Sequence, residues 1–570
     1  MGMENIPRSA SVNEIPDLVL KNANMLDVFT GQWKHTDIAI SNGRVSGLGS
    51  YDLGRKTRDL KKARVIPGYI DAHVHIESSM LSLPAFAGAT LPRGTTTVVA
   101  DPHEIANVSG SAGLDYMISE SKKVFSNIYF MIPSCVPATE METSGASLSA
   151  VDIAPYFSLP QVLGLGEVMN YPGVISKDKI LWAKIDAAKR AGKIIDGHAP
   201  GLCGKALCAY VAAGIRSDHE CVSPAEAMEK IGAGMHVMVR EGTGAKNLEA
   251  LVPAITSKTE QWMMWCTDDR HPDDIYEEGH IDFIVKKAVS LGVDPVSAIR
   301  MATIYPAKYF GLNHLGAIAP GRRADLLIVS DPPALDVKEA YCAGKPVAEK
   351  GTLVFGVCMP EASLSPSSMN IEAGCPDFSI RAESENARII QLVPGQIITE
   401  CRTARLPAKN GLALADPEAD ILKIAVIERH HGTGNTGVGF VSGFGLRRGA
   451  IAQSIAHDSH NIIVCGVNDK DMKTAAMHVA KIGGGIAVAD SGSVAASLPL
   501  PIAGLMSDRP LDQVYAKTKE LKMAARSLGS NLPDPFMSLS FLALPVIPKL
   551  KITDRGLFDV KRFCHVPVFE

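Results

Sequence analysis

Eight short β-rich runs, most of them ending at or just before a polar residue of metal-ligand or acid–base type, constrain this chain more than any other feature. They span residues 64–75, 95–101, 128–133, 162–168, 193–198, 215–219, 236–240 and 262–268. Stretches of helical periodicity, such as 180–191 and 225–231, separate most of them. Short apolar strands alternating with helices imply parallel βαβ units. Eight such units over roughly 200–250 residues fit a (β/α)8 barrel. The polar residues are not scattered along the runs. His73 and His75, Asp101 and His103, Glu167, His198, His219 and Asp268 all sit at or just past the C-terminal end of a run. In such a barrel those ends converge on one mouth, where active sites are built.

The sequence outside the barrel divides in two. Residues 18–26, 33–41 and 44–48 read as short alternating strands, and 316–331 with 345–353 look similar. The simplest reading is one small β-domain assembled from both flanks of the barrel. Residues 360–368 are a turn-rich stretch of Pro and Ser that reads as a linker. Beyond it, strands at 421–427, 461–467 and 485–489 mix with helices at 470–482 and 511–528, as in a further α/β domain. The expected division is 1–63 and 313–360 for the small β-domain, 64–312 for the barrel and 370–570 for the C-terminal domain.

Bulk properties narrow the partners. A formal net charge of -4 gives no polyanion-binding surface, so nucleic acid is not expected. With 46% hydrophobic and 21% charged residues the chain is of ordinary globular composition. No uncharged apolar run is long enough for a membrane span, and the first residues lack the pattern of a signal peptide. Eleven thinly spread cysteines read as reduced thiols of a cytoplasmic protein rather than a disulfide framework.

His73 and His75 lie two apart, so on a strand they point the same way and can grip one divalent ion. The bland alternative, two hydrogen-bonded histidines, weakens once His198, His219 and Asp268 are added from later strands. Glu167 ends an apolar fourth strand, where a carboxylate is costly unless paired; it could bridge two ions. Asp268 could take a proton from a metal-activated water and pass it to a leaving group. Asp269 competes, but strand alternation is expected to turn it away from the mouth. Asp101, His103 and Glu104 contact substrate, relay a proton or cap the following helix. Arg240 and Glu241, at the end of the seventh run, are expected to touch substrate. Glu77 and Ser78 trail the histidine pair as further candidates.

Three other patterns carry less. His75-Ile76-Glu77 matches the H-x-E of zinc nucleobase deaminases, but the P-C-x-x-C that must accompany it is missing from the sequence. Gly432 to Gly437 fits G-x-G-x-x-G without an amphipathic helix after it. His430, His431, His457, Asp458 and His460 form a C-terminal cluster that is either a set of exposed loop residues or a set of loops that reach a barrel mouth, its own or a neighbouring subunit's, to close it or bind another ion.

The stretch Pro67-Gly68-Tyr69-Ile70-Asp71-Ala72-His73-Val74-His75 resembles the opening signature of the amidohydrolase superfamily, and residues 316–329 resemble its closing one. Residues 75–80, 101–108, 166–170, 196–200, 217–220 and 456–461 are similar to the bacterial adenine deaminase family, so the resemblance covers nearly the whole chain. A glutamate at position 167, where many superfamily members carry a carboxylated lysine, agrees with that family. The resemblance implies hydrolytic deamination of adenine to hypoxanthine and ammonia in purine salvage. It implies a binuclear centre of manganese or iron, with zinc as an alternative, held by His73, His75, Glu167, His198, His219 and Asp268. Asp268 would move the water proton, and His103 or Glu104 would serve a purine ring nitrogen. It also implies a homo-oligomer. Rival readings are another metal-dependent amidohydrolase, acting on a cyclic amide or a different base, and a barrel scaffold without catalysis.

Overall fold

The computed structural model describes residues 15–360, 369–371, 376–393 and 396–570. Nearly all of the expected linker, 361–368, and the start of the chain, 1–14, lie outside the described residues.

Gly68 divides the first expected strand between two sheets. Before it, Arg64–Pro67 pairs with Leu18–Asp27 and, antiparallel, with Leu326–Val329. After it, Tyr69–Val74 becomes the first barrel strand, β1. A β-carbon on residue 68 would lie 2.1 Å from Thr96 Oγ1, so the crossover needs glycine. The flanking sheet has nine strands, five from before the barrel and four from after it. The chain thus leaves and re-enters one sheet, and the barrel hangs between its two halves.

The remaining barrel strands are β2 (Thr95–Ala100), β3 (Asn127–Ile132), β4 (Val162–Val168), β5 (Ile194–Gly197), β6 (Ser217–Asp218), β7 (His236–Arg240) and β8 (Met263–Cys266). Neighbours within β1–β5 and within β6–β8 pair in parallel. Arg216 N donates to Ile195 O at 2.9 Å, tying β5 to β6. Asp268 N donates to His73 O at 3.0 Å and His75 N to Asp268 O at 3.3 Å, which closes β8 onto β1. The β1 and β2 strands are buried at every position, as expected of parallel strands covered on both faces. The helices predicted at 180–191 and 225–231 appear as Lys179–Arg190, capped by Asp178, and Pro224–Gly232, capped by Ser223.

The C-terminal domain is built on an eight-stranded sheet with Ile421–Ile427, buried throughout, near its centre. The helix Asp469–Lys481 covers part of it, and Leu511–Ser527 packs between its edge and the barrel. Leu81 and Ser507 form a bridge between barrel and C-terminal domain. Among the described residues no helix is long and apolar enough to cross a membrane.

Candidate metal centre and its surroundings

Closure of β8 onto β1 decides the centre of the site. It sets Asp268 Oδ1 3.4 Å from His73 Nε2 and 3.1 Å from His75 Nε2, while the two Nε2 atoms lie 3.1 Å apart. Asp268 has left the strand: its φ of 56° turns the chain, a conformation Asp and Asn tolerate best among non-glycine residues. That turn, rather than strand alternation, separates the two aspartates. Asp269 accepts a 2.5 Å hydrogen bond from Ser78 Oγ at the edge of the site.

Glu167 stands opposite, at the end of β4. Its Oε1 is 3.5 Å from His75 Nε2, and its Oε2 is 2.7 Å from His198 Nδ1 and 3.2 Å from His219 Nε2. One carboxylate therefore faces both halves of the cluster. Its backbone N–H donates to Asp101 Oδ2 at 3.0 Å. The close approach requires Gly166, where a β-carbon would meet that same oxygen at 2.1 Å. Asp101 thus lies beneath Glu167 and supports it instead of lining the open mouth.

His198 and His219 are placed by a buried scaffold. Tyr210 Oη accepts from His198 N at 3.0 Å and donates to Val168 O at 2.7 Å. Asp218 accepts from Ala199 N and Glu220 N, and the fully buried Lys230 grips it at 2.9 Å. The cation outweighs the effect of burial and keeps Asp218 below the usual carboxylate range.

The donor set calls for cations. His75 Nδ1 lies 2.9 Å from Asp101 O, which can accept but not donate, so Nδ1 keeps a proton and Nε2 is the atom whose lone pair is free to bind an ion when the ring gives up its second proton. That lone pair faces His73 Nε2 and oxygens of Asp268 and Glu167. Burial and the neighbouring His103 push His75 toward neutrality, yet Asp268, Asp269 and Glu167 outweigh them and hold the ring above its ordinary value. Nitrogen and oxygen lone pairs converging in a buried space fit divalent metal ions. The groups His73, His75, Asp268 and His73, Glu167, His219 each bring their ligand atoms within 4.8 Å of one another.

The remaining candidates separate. Arg240 is in the cluster but paired, with Asp268 Oδ2 at 2.9 Å and with both oxygens of Glu220. Glu220, which sequence reasoning passed over, also lies 3.5 Å from His219 Nε2; its position directly after a ligand-type histidine was the available signal. Burial raises Asp268, but Arg240, His73 and His75 outweigh it and hold the acid well below its ordinary range. His103 reaches Glu167 Oε1 at 3.3 Å through Nδ1 and Glu104 Oε1 at 3.5 Å through Nε2. Glu77, rather than Asp101 or Glu104, caps the helix His103–Ser121, accepting from Ile105 N at 3.2 Å. Burial pushes its carboxyl up to about 7.

Glu241 does not join the site. It lies fully buried outside the mouth, bound to Lys287 Nζ at 2.5 Å and to Leu248 N at 3.3 Å. The β-strand period puts consecutive residues on opposite faces, so Arg240 and Glu241 could not both point inward.

The C-terminal cluster reaches the mouth of its own barrel. His457 Nδ1 lies 2.9 Å from Glu104 Oε1, and His460 Nε2 bonds the other oxygen, Oε2. Asn461 Nδ2 donates to Thr143 O at 2.8 Å, and His431 Nε2 lies 2.9 Å from Ser144 O. His430 instead meets Ser459 O at 2.7 Å within the C-terminal domain. Asp458 is buried beside this segment, with Oδ2 lacking a hydrogen-bond partner among the described residues.

Residues 64–347 match the amidohydrolase family, and residues 396–564 match the adenine deaminase C-terminal domain. The chain is 52% identical to adenine deaminase of Desulfatibacillum aliphaticivorans, over 99% of each chain. It is 48% identical to adenine deaminase 2 of Carboxydothermus hydrogenoformans, over 97% of each. Adenine deaminase of Methanothrix thermoacetophila is 46% identical, over the full length of both. Barrel, flanking sheet and C-terminal domain are thus shared together, and the chain belongs to the adenine deaminase family of amidohydrolases.

Proposed function

We propose that this protein hydrolyses adenine to hypoxanthine and ammonia, with the reaction centred on the cluster at the barrel mouth. The observation that carries the reading is the enclosed donor set in a chain that aligns with adenine deaminases from end to end. His73, His75 and Asp268 would hold one divalent ion, and His198 with His219 a second. Glu167 would serve both, since its two oxygens face the two halves. Manganese or iron is the preferred occupant, with zinc as the alternative for such nitrogen and oxygen donors. When bound, the metal supplies a water acidified enough to attack at neutral pH.

Deamination needs a proton removed from water and a proton delivered to the departing amine. Asp268 Oδ1, facing the histidine pair, takes the first and returns it to the exocyclic nitrogen; Arg240 holds its other oxygen fixed. As C6 becomes tetrahedral, negative charge moves into the purine ring. His103 or Glu104 meets it at a ring nitrogen, as donor or through a shared proton. Glu77 and Asp101 act behind these groups, on the helix start and on Glu167. We place the enzyme in the cytoplasm as a homo-oligomer acting on a small molecule; its free thiols, such as Cys135, Cys221 and Cys266, suit a reducing compartment. The test is to incubate metal-loaded protein with adenine and follow ammonia. A fully loaded protein that releases none sinks the assignment.

A further inference from the structure

We infer that His457 and His460 of the C-terminal domain are positioning residues for the reaction: they hold the Glu104 carboxylate at the barrel mouth, so the site is complete only with that domain docked. The inference rests on the reading above, in which Glu104 serves the substrate.

Glu104 is 2% exposed. A buried carboxylate is costly without hydrogen-bonding partners. From the barrel its nearest partner is His103 Nε2, at 3.5 Å too long for a strong hydrogen bond. The two close partners come from the far end of the chain: His457 Nδ1 at Oε1 and His460 Nε2 at Oε2. A third metal site is the competing reading of one glutamate and two histidines. The tautomer of His460 decides against it. Ala456 N–H donates to His460 Nδ1 at 3.2 Å, which makes Nδ1 the acceptor and places the proton on Nε2. Burial lowers this ring to about 4, so it is neutral at pH 7 and Nε2–H is a donor to the carboxylate, not a lone pair for an ion.

Both rings are themselves held. His457 stacks on Phe541, with centroids 4.7 Å apart and planes 23° from parallel. The carbonyl of His460 accepts from Arg429 Nε, deep in the C-terminal domain. After β8, on the other side of β1 from Glu104, Lys522 grips Asp273 at 2.5 Å and Asp534 at 2.9 Å, and Tyr515 stacks on Tyr276 at 4.1 Å. The domain is thus pinned to the segment that follows Asp268 as well as to the one that carries Glu104.

The experiment uses the full-length, metal-loaded enzyme. His460→Ala is expected to keep wild-type metal content and a KM within about threefold, while kcat falls on the order of 100-fold, the usual scale of a misplaced proton-transfer group. His460→Gln, which restores an N–H donor, is expected to recover at least about tenfold of that loss. In a Glu104→Gln background, adding His460→Ala is expected to change kcat by less than about threefold, since both changes remove one interaction. His457→Ala, run through the same cycle, serves if His460→Ala folds poorly. Loss of metal from His460→Ala, full multiplication of the two defects, or wild-type kcat in His460→Ala each overturns the positioning role. Absence of ammonia from the wild type overturns the underlying activity, and this role with it.

Discussion

Arg240 and Asp268 are joined across the ends of adjacent barrel strands, Nη1 to Oδ2 at 2.9 Å, and the same guanidinium binds both oxygens of Glu220. One cation therefore neutralises two buried carboxylates beside the histidine cluster. Arg240→Met would leave both without it. The loss of a buried charge partner costs about 3–5 kcal/mol, so urea unfolding of metal-free protein should show a fall of that size. A change below about 1 kcal/mol would mean that solvent already screens the pair.

Asp268 combines a chemical and a conformational demand. Asp268→Asn keeps a residue that accepts positive φ, so its loss of stability is confined to the weakened bond to Arg240, while kcat drops about 10²–10⁴-fold. Asp268→Ala should lose the same activity and, in addition, about 1–2 kcal/mol of stability for the left-handed backbone. Equal stability of the two variants would remove the backbone argument.

Metal dependence should track the histidines of both halves. Chelation ought to abolish ammonia release and restoration of manganese or iron to return it. His73→Ala and His198→Ala are each expected to lower bound metal measured by elemental analysis. Full metal content in His198→Ala would confine the ions to the half formed by His73, His75 and Asp268.

Glu241→Gln supplies a contrast from the neighbouring position. Its carboxylate serves Lys287 and the backbone at Leu248, outside the mouth. KM for adenine should stay within about twofold of wild type, while stability falls by about 1–3 kcal/mol as a buried charged hydrogen bond is lost. A large rise in KM would return Glu241 to the substrate.

Lys551 offers a pH signature outside the barrel. Burial lowers it from 10.5 to about 7, and its Nζ donates to the carbonyls of Ile397 and Phe541. Between these two values the unfolded chain holds a proton that the folded one has released, so stability rises with pH across that window. Below pH 7 the contribution is a constant cost. The stability gap between Lys551→Met and wild type should narrow in favour of wild type by on the order of 1 kcal/mol per pH unit from pH 7.5 to 9.5. A gap independent of pH would show that the lysine stays charged.

The barrel and the centre of its site were legible because a parallel strand announces itself by an apolar run, and its C-terminal end by the polar residue that follows. His73, His75, Glu167, His198, His219 and Asp268 converge for that reason. Glu241 stays out of the site because consecutive strand residues face opposite ways, which sets it against Lys287 while Arg240 points inward. Asp269 parts from Asp268 through a left-handed turn after β8, which ends at Cys266, and not through strand alternation. Helix capping by Glu77 could not be read from the residues next to the helix, because it comes from the preceding βα segment. The contact of His460 with Glu104 spans 356 positions; no local pattern encodes such a meeting, which depends on how two separately folded layers dock.

The same span orders events during synthesis. A ribosome completes every strand of the barrel, and every proposed metal ligand, long before it reaches His457 and His460. Through that interval Glu104 lies at the mouth of a nascent protein without either histidine. The two histidines are thus made 356 and 353 positions after the carboxylate they face, so the mouth is complete only once the C-terminal domain has been synthesised.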